Sequence, residues 1–265
     1  MDMRERGDGE PSGAITLLPV TGLPEVRPGD DLAALLLAAL DGASLQLQPG
    51  DVLALAQKIV SKAEGRMVNL ADVTPGAEAE RVAAEVNKDP RLVELVLRES
   101  ESISRMRRGV LIVRHRLGFT SANAGIDRSN VPQGAGEEVV LLLPEDPDRS
   151  AAALREALVE RVGVDVAVVI TDSHGRPFRQ GTVGVAIGVA GLPALWDRRG
   201  EPDRQGYLLQ HTEVGLADEI AAAASMVMGQ AAEGVPAVLV RGLRLPPGDG
   251  RARDLYRPPE LDLYR

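Results

Sequence analysis

The stretch Val166-Ala167-Val168-Val169-Ile170-Thr171-Asp172-Ser173-His174-Gly175-Arg176-Pro177 decides how this chain is organised. Its first six residues form an apolar run rich in β-branched side chains, which is typical of a buried strand. The run stops at Asp172 and Ser173, and the glycine and proline that follow turn the chain away. A rigid strand end therefore holds a carboxylate and a hydroxyl. These groups suit a hard metal ion, but the same pattern also fits an ordinary helix cap or turn.

Six further apolar runs predict strands, over 15–20, 52–56, 110–113, 139–143, 183–189 and 237–240. They alternate with helical patterns, so we expect an α/β protein with a mixed sheet. Helices are predicted over 31–40 with Asp30 as cap, over 77–87, from Pro90 with Asp89 as cap, over 151–162 with Ser150 as cap, and over 214–228. The glycines at 181, 184, 188 and 191 indicate close backbone packing or a bulge.

Composition changes along the chain predict its domain organisation. Residues 1–13 are polar and glycine-rich, as in a disordered leader, and the main body is expected over 14–245. A boundary between two halves is predicted near 144–150, where the sequence Pro144-Glu145-Asp146-Pro147-Asp148 is short, polar and rich in proline. Residues 246–265 are rich in proline and charge, which predicts a tail or a linker.

Charge and residue content exclude several classes of function. The 265 residues carry a net charge of -9 and only 2% aromatic residues, so nucleic-acid binding is not expected. No cysteine is present, which rules out disulfides, thiolate nucleophiles and sulfur-ligated metals. No apolar stretch is long enough for a membrane span, so a soluble cytoplasmic protein is expected.

Two more polar blocks carry chemistry. The block 57–66 directly follows the strand 52–56. If the block is helical, Lys58 and Lys62 lie on one face of the helix. This face could bind a phosphate tail, or it could simply be a basic surface in contact with solvent. The block 123–132 contains Asp127, which together with Asp172 could bind Mg²⁺ or Mn²⁺, although loops this polar are usually turns. Neither a P-loop nor a Rossmann fingerprint is present, and no serine-hydrolase elbow is found.

Five ordered blocks together resemble the coenzyme F420-0:L-glutamate ligase family. They are Gly22-Leu23-Pro24, the block 57–66, Asn123-Ala124-Gly125-Ile126-Asp127-x-Ser129-Asn130, Ile170-Thr171-Asp172-Ser173-x-Gly175-Arg176 and Gly234-Val235-Pro236-Ala237. The resemblance covers residues 15 to 245. It implies a two-lobed, mixed-sheet α/β fold particular to the family and a homodimer. It also implies GTP-dependent addition of L-glutamate, through a γ-glutamyl amide bond, to the precursor F420-0, with later precursors left open.

The resemblance also implies roles for individual residues. Catalysis would rest on Asp127, Asp172 and Lys62, and Mn²⁺ or Mg²⁺ would be bound by Asp127, Asp172, Ser173 and Gln230, with K⁺ as a further candidate ion. GTP would be held by Leu23, Pro24, Glu25, Val26, Gln57, Lys58, Lys62, Asn130, Met228, Gly229, Gln230, Ala231, Ala232, Glu233, Gly234 and Val235. Relatives can carry an acidic ligand where this chain has Gln230, so the site has one charge fewer.

A physical argument supports the implied chemistry. A carboxylate and an amine do not condense unaided in water, and transfer of the terminal phosphate of GTP would activate the carboxylate as an acyl phosphate. Two alternatives remain at this point. One is a metal-dependent nucleotide phosphohydrolase that uses Asp127 and Asp172, and the other is a nucleotide-binding module without catalytic activity.

Overall fold

A computed structural model describes residues 13–131, 133–134 and 137–262 of the chain, so the predicted leader lies outside the described residues except for Gly13. The strands are β1 (Thr16–Val20), β2 (Val52–Ala56), β3 (Met67–Asn69), β4 (Ser100–Arg107), β5 (Val110–His115), β6 (Thr120–Ala122), β7 (Val139–Leu141), β8 (Ala167–Gly175), β9 (Thr182–Ala190), β10 (Trp196–Asp197), β11 (Glu213–Val214) and β12 (Ala237–Arg241). The α-helices are α1 (Leu32–Gly42), α2 (Gln57–Ala63), α3 (Ala77–Val86), α4 (Pro90–Arg98), α5 (Pro147–Val162) and α6 (Leu216–Met228). Short 3₁₀ turns cover Leu70–Asp72, Asn123–Gly125, Ala252–Leu255 and Pro259–Leu261.

A mixed five-stranded sheet in the order β1-β12-β2-β8-β9 forms the centre of the molecule. The β2–β8 pair is parallel, whereas the other three pairs are antiparallel. Smaller antiparallel sheets join β3 with β7, β4 with β5 and β6, and β10 with β11. The α/β class and the mixed sheet predicted from sequence are therefore confirmed.

Both faces of the central sheet are covered by helices. Along β2, Leu53 and Leu55 pack into a core with α1 and α5, while Val52 and Ala54 face a second core built on α6. In β8, Val168 and Ile170 belong to the first core, and Ala167 and Val169 belong to the second. Because successive side chains of a strand point to opposite faces, a continuous apolar run is what burial on both faces requires.

Two glycines of β9 let the covering helices approach closely, as the sequence pattern predicts. A Cβ atom at Gly188 would lie 2.3 Å from the carbonyl oxygen of Pro147 in α5. A Cβ atom at Gly184 would lie 2.5 Å from the carbonyl oxygen of Ala221 in α6. Any larger residue at either position would force a helix away from the sheet.

The helices α3 and α4 and the strands β4 and β5 enclose a separate core, with Val82, Val93, Leu111 and Val113 among its buried members. Within the described part of the chain this cluster shares no buried residue with the two cores of the central sheet. The predicted division into two lobes near 144–150 stays a prediction. However, Pro147 and Asp148 of the predicted link belong to α5.

Three helix starts differ from the prediction. The side chain of Asp31, not Asp30, caps α1 by accepting from the Ala34 amide, and Asp30 instead accepts from the Arg27 amide. Helix α5 begins four residues before the predicted start, because Asp146 rather than Ser150 provides the cap. Helix α6 begins at Leu216, since Val214 belongs to β11 and pairs with Trp196 of β10. The cap predicted at Asp89 is confirmed.

Part of the segment after residue 245, for which composition predicts a tail or linker, packs on the body. The amide of Ala252 donates to Asp148, and the Ala252 side chain is buried in the core beside α6. The ring of Tyr256 meets Phe119 edge-on at 5.8 Å between ring centroids. None of the helices in the described ranges is long and apolar enough to cross a membrane.

Candidate functional site

Residues from four strands of the central sheet meet at one edge. The parallel register ends at the pair Ala56 and Thr171, so the residues after β2 lie beside Asp172 and Ser173. The prediction that the strand stops at Asp172 is wrong, because β8 continues to Gly175 and pairs Asp172 and Ser173 with β9. The antiparallel neighbours bring the start of β12 and the end of β1 to the same edge, because Ala237 pairs with both Leu55 and Val20. Ligand sites of open α/β sheets gather at such carboxyl ends of parallel strands.

A cleft of about 960 Å³ opens at this edge. Every residue predicted from the sequence to bind nucleotide or metal, or to act in catalysis, contributes to its wall. These residues are Leu23, Pro24, Glu25, Val26, Gln57, Lys58, Lys62, Asp127, Asn130, Asp172, Ser173, Met228, Gly229, Gln230, Ala231, Ala232, Glu233, Gly234 and Val235. Their individual roles stay predictions, but the segments that the sequence singled out do form one site.

Asp127 is held by two side chains of α2. Its Oδ2 atom accepts a hydrogen bond from Nε2 of Gln57 at 3.0 Å and forms an ion pair with Lys58. The amide of Gln57 is itself oriented, because its Oε1 accepts from the Ser61 hydroxyl at 2.7 Å. Burial raises the pKa of Asp127 above its ordinary value against the opposing effect of Lys58, and the charge of Asp172 raises it further.

Asp172 also lines the cleft and has His174 as its partner. Its Oδ2 atom and Nε2 of His174 are 3.0 Å apart. Burial alone would raise the pKa of Asp172, but the hydrogen bond and charge of His174 and the amide of Ser173 outweigh that effect, so the pKa is lowered. The carboxylate is therefore kept ionised, which is the state that binds metal.

Ser173 and Gln230 join the strand end to the loop after α6. The Ser173 hydroxyl donates to Oε1 of Gln230 at 2.9 Å, and Nε2 of Gln230 donates to the hydroxyl of Ser225 at 3.3 Å. These bonds aim the amide oxygen of Gln230 at the strand end that carries Asp172. The loop thus brings a neutral oxygen to the position where the sequence predicts a metal ligand.

The residues predicted to bind nucleotide include Lys62, Asn130 and the segment 228–235, which all line the cleft. The ammonium of Lys62 is almost fully buried and lies 2.5 Å from Oε1 of Glu25, whose side chain is 60% exposed. Across the cleft, Nδ2 of Asn130 donates to the carbonyl of Ala231 at 3.1 Å. In the same loop, the carboxylate of Glu233 accepts from the Ala231 amide. The loop 228–235 is therefore fixed by its own contacts next to the lysines.

The donor atoms fit a divalent metal of the Mg²⁺ or Mn²⁺ type. Asp127 and Asp172 lie close enough for the charge of one to raise the pKa of the other, and a cation between them would relieve that repulsion. Within the described ranges, no group of three His, Cys, Asp or Glu side chains could hold a metal ion. A metal would therefore depend on the Ser173 hydroxyl and the Gln230 amide as well as on the two carboxylates.

Two groups of polar residues differ from what the sequence indicates. Ser121, Asn123 and Thr171 also line the cleft, and each carries a buried oxygen without a hydrogen-bond partner. Asn123 and Thr171 lie in the blocks that carry the resemblance, but the sequence assigns them no role, and Ser121 lies outside those blocks. By contrast, Arg176 and Arg179, two cations that closely follow Asp172 in the sequence, do not line the cleft, and Arg176 donates to the carbonyl of Gly181.

Comparisons with known proteins agree with these observations. Residues 22–242 match the family model described as F420-0:Gamma-glutamyl ligase. The chain is 49% identical over 256 residues to the coenzyme F420:L-glutamate ligase of Methanothermobacter thermautotrophicus, covering 95% of this chain and 99% of that protein. Proteins of the same name from Methanopyrus kandleri and Haloarcula marismortui are 49% and 45% identical, over 96% and 93% of this chain and 100% and 94% of their own lengths.

Proposed function

Because the chain belongs to the F420-0:gamma-glutamyl ligase family, we propose that it is a ligase that joins L-glutamate to a coenzyme F420 precursor by an amide bond. The observation that carries the proposal is the single cleft at the sheet edge, where two carboxylates and two lysines face a glycine-rich loop. Such a site suits a reaction that binds a nucleoside triphosphate and builds up negative charge.

The reaction follows from the need to activate a carboxylate. The terminal phosphoryl group of GTP passes to a carboxylate oxygen of the precursor, which leaves GDP and an acyl phosphate. The amino nitrogen of glutamate then bonds to the acyl carbon while the carbon–oxygen bond to phosphate breaks and the nitrogen loses a proton. No protein nucleophile is required, which is compatible with a chain that has no cysteine.

Lys58 and Lys62 supply the positive charge for this step. Both extend from α2 into the cleft, and in the free protein each is paired with a carboxylate, Asp127 or Glu25. Phosphate oxygens bound beside them would share these ammonium groups. Because Lys62 is only 8% exposed, its charge acts in a medium less polar than water and has a stronger effect on a bound anion.

Asp127, Asp172, Ser173 and Gln230 would hold Mg²⁺ or Mn²⁺. A divalent metal bound there would neutralise charge on the phosphate groups. Gln57 and His174 orient the two carboxylates before any ligand enters. Use of K⁺, extension of precursors that already carry glutamate, the two-lobed division of the fold and a homodimeric assembly stay parts of the same proposal.

The test is a ligation assay with purified protein, GTP, Mn²⁺, L-glutamate and the glutamate-free precursor. We expect a product heavier by one glutamyl residue, with GDP formed in equal amount. Mass spectrometry measures the product and resolves how many glutamates are added. If GDP appears at the same rate without precursor and glutamate, the protein is a nucleotide phosphohydrolase and the proposal is wrong.

A further inference from the structure

The part of β8 that carries Asp172 has a neighbouring strand on one side only. The parallel ladder between β2 and β8 ends at Ala56 and Thr171, and from Asp172 onward β8 pairs with β9 alone in the described part of the chain. Asp172 and His174 are two residues apart, so both side chains project on the face of β8 from which Ile170 projects. Ile170 belongs to the core with α1 and α5. Further contacts that hold this corner therefore come from outside the central sheet.

Phe119 packs against His174, the hydrogen-bond partner of Asp172. Nε2 of His174 lies 3.0 Å from Oδ2 of Asp172, and because an ionised carboxylate only accepts, the ring nitrogen donates. The ring of Phe119 lies 5.0 Å from the ring of His174 between centroids, at an interplanar angle of 48°. A histidine ring turns over a broad range of χ2 angles, so its hydrogen bond alone orients it weakly. The contact with Phe119 limits that rotation.

The turn between β5 and β6 fixes the position of Phe119. Its carbonyl accepts from the His115 amide at 2.8 Å, and the Gly118 amide donates to the His115 carbonyl at 2.8 Å. The ring of Phe119 also stacks on the ring of His115, with 5.1 Å between centroids. Although it comes from a separate sheet, Phe119 is buried in the core with α1 and α5. Phe119 therefore presents a rigid surface to His174.

Tyr256 in turn contacts Phe119 and the turn that carries it. The two rings meet edge-on, with 5.8 Å between centroids. Gly118 has a φ of 106°, and a Cβ atom there would lie 3.1 Å from Cδ2 of Tyr256, so both backbone and space favour glycine. The amide of Ala252 donates to Asp148, which ties the segment with Tyr256 to α5. Tyr256 lies beyond residue 242, where the match to the family model ends, so that match indicates no role for it.

We propose that Phe119 and Tyr256, here called the aromatic pair, are positioning residues for Asp172. Phe119 holds the ring of His174, His174 holds Oδ2 of Asp172, and Tyr256 holds Phe119. Neither ring of the aromatic pair lines the cleft, so the pair acts through His174. This inference rests on the proposed function, in which Asp172 binds Mg²⁺ or Mn²⁺. Side chains that orient a metal ligand typically change metal affinity by about 10–100-fold when they are lost.

The test measures binding of Mn²⁺ alone to the full chain. Electron paramagnetic resonance detects the free ion, and thermal unfolding of the metal-free protein reports the stability of each variant. The variants are Phe119→Leu, which keeps an apolar side chain but removes the ring, His174→Ala, and the two changes together. Ile220→Val is the matched control, because Ile220 is buried in the core beside α6 and does not line the cleft.

We expect Phe119→Leu to weaken Mn²⁺ binding about tenfold and His174→Ala to weaken it about 30-fold. Adding Phe119→Leu to His174→Ala should weaken binding by less than about twofold more, because the ring through which Phe119 acts is then gone. Phe119→Leu and Ile220→Val should each lower the melting temperature by about 3 °C, since both keep most of a buried apolar side chain. Ile220→Val should bind Mn²⁺ as the wild type does.

Tyr256 provides a second comparison, which decides the matter if a variant at position 119 or 174 does not fold. Tyr256→Leu removes the ring and should weaken Mn²⁺ binding about threefold, whereas Tyr256→Phe keeps the ring and should bind as the wild type does. Equal Mn²⁺ binding by these two variants would contradict the role of Tyr256. Unchanged Mn²⁺ binding by Phe119→Leu, or the same loss with and without His174, would overturn the proposal.

The inference and the ligase function fail separately. If the wild type forms the glutamyl product and Phe119→Leu binds Mn²⁺ normally, the ligase function stands and the inference is wrong. If the wild type forms no product but Phe119→Leu weakens Mn²⁺ binding only in the presence of His174, the aromatic pair is supported and the ligase function is refuted. A wild type that binds no Mn²⁺ would overturn the inference, whatever the ligation assay shows.

Discussion

His115 should make the protein less stable as the pH falls from about 6.5 to about 4. Its ring is fully buried and stacks on Phe119 at 5.1 Å between centroids. Nδ1 accepts from the Leu117 amide at 3.0 Å, so the proton of the neutral ring lies on Nε2, which has no partner. The nearest carboxylate oxygen, on Glu99, is 3.7 Å from Nε2 and is already shared by Arg66 and Arg116.

Burial, followed by the positive charges of Arg116 and Arg66, lowers the pKa of His115 from 6.5 to about 4. The groups that face the ring are Arg66, Glu99, Arg116, Asp172 and His174. The sign follows from which state binds the proton. The unfolded chain protonates this histidine as the pH falls through about 6.5, whereas the folded protein keeps it neutral until about pH 4. Stability is therefore lost over that interval, by about 3 kcal/mol in full, and His115 adds no pH dependence above it.

The variant His115→Asn removes the titrating ring and keeps an acceptor near the position of Nδ1. Urea unfolding of wild type and variant at several pH values between about 7 and 4.5 gives the difference between their unfolding free energies. The pH-dependent contributions of carboxyl groups are common to both proteins and cancel in this difference. This difference should fall by about 2 kcal/mol between pH 7 and about pH 5. A difference that stays constant over this range would show that His115 is solvated or paired in the folded protein and would refute the argument.

Three further changes test the site and the fold. Asp172→Asn should lower the turnover of the ligation assay by at least about 100-fold while GDP binding changes little, since it removes charge at the reacting corner; unchanged turnover would exclude Asp172 from catalysis. Gly188→Ala should lower the unfolding free energy by about 2 kcal/mol through its contact with Pro147, measured in urea against Gly42→Ala, where a Cβ atom meets nothing within 4 Å. Tyr256→Ala should destabilise the protein by about 3 kcal/mol, whereas Tyr256→Phe keeps the ring contact with Phe119 and should not; equal effects would mean that this contact is unimportant.

The elements that sequence predicts well are those with strong local patterns. The four-residue runs Val52–Leu55 of β2, Ala167–Ile170 of β8 and Ala237–Val240 of β12 are apolar and buried, because helices cover both of their faces. Gln57 and Lys58 directly follow β2, and Asp172 and Ser173 lie inside β8, so these strands set their positions. For this reason the nucleotide and metal residues named from the sequence lie at one edge of the sheet.

The elements that sequence does not predict depend on distant partners. Strand β4 (SESISRMR) is mostly polar and exists because it pairs with β5. Asp127 reaches the cleft through a bridge to Leu141, and no local pattern encodes that pairing. The residue that caps a helix is the one with an extended backbone, and Asp31 and Asp146 have such angles. The sequence does not determine which of several nearby polar residues adopts them.

The register of β2 against β8 links the packing of the core to the geometry of the cleft. A slip of one residue in β8 would turn Val168 and Ile170 from the core of α1 and α5 toward the core of α6, where Ala167 and Val169 now fit. The same slip would move Thr171 away from Ala56 and would exchange the faces on which Asp172 and Ser173 project. Large side chains on one face and small ones on the other make such a slip costly, because one layer would be overpacked and the other left with cavities. The alternation that stabilises the sheet is therefore also what determines the face of β8 from which the carboxylate of Asp172 projects.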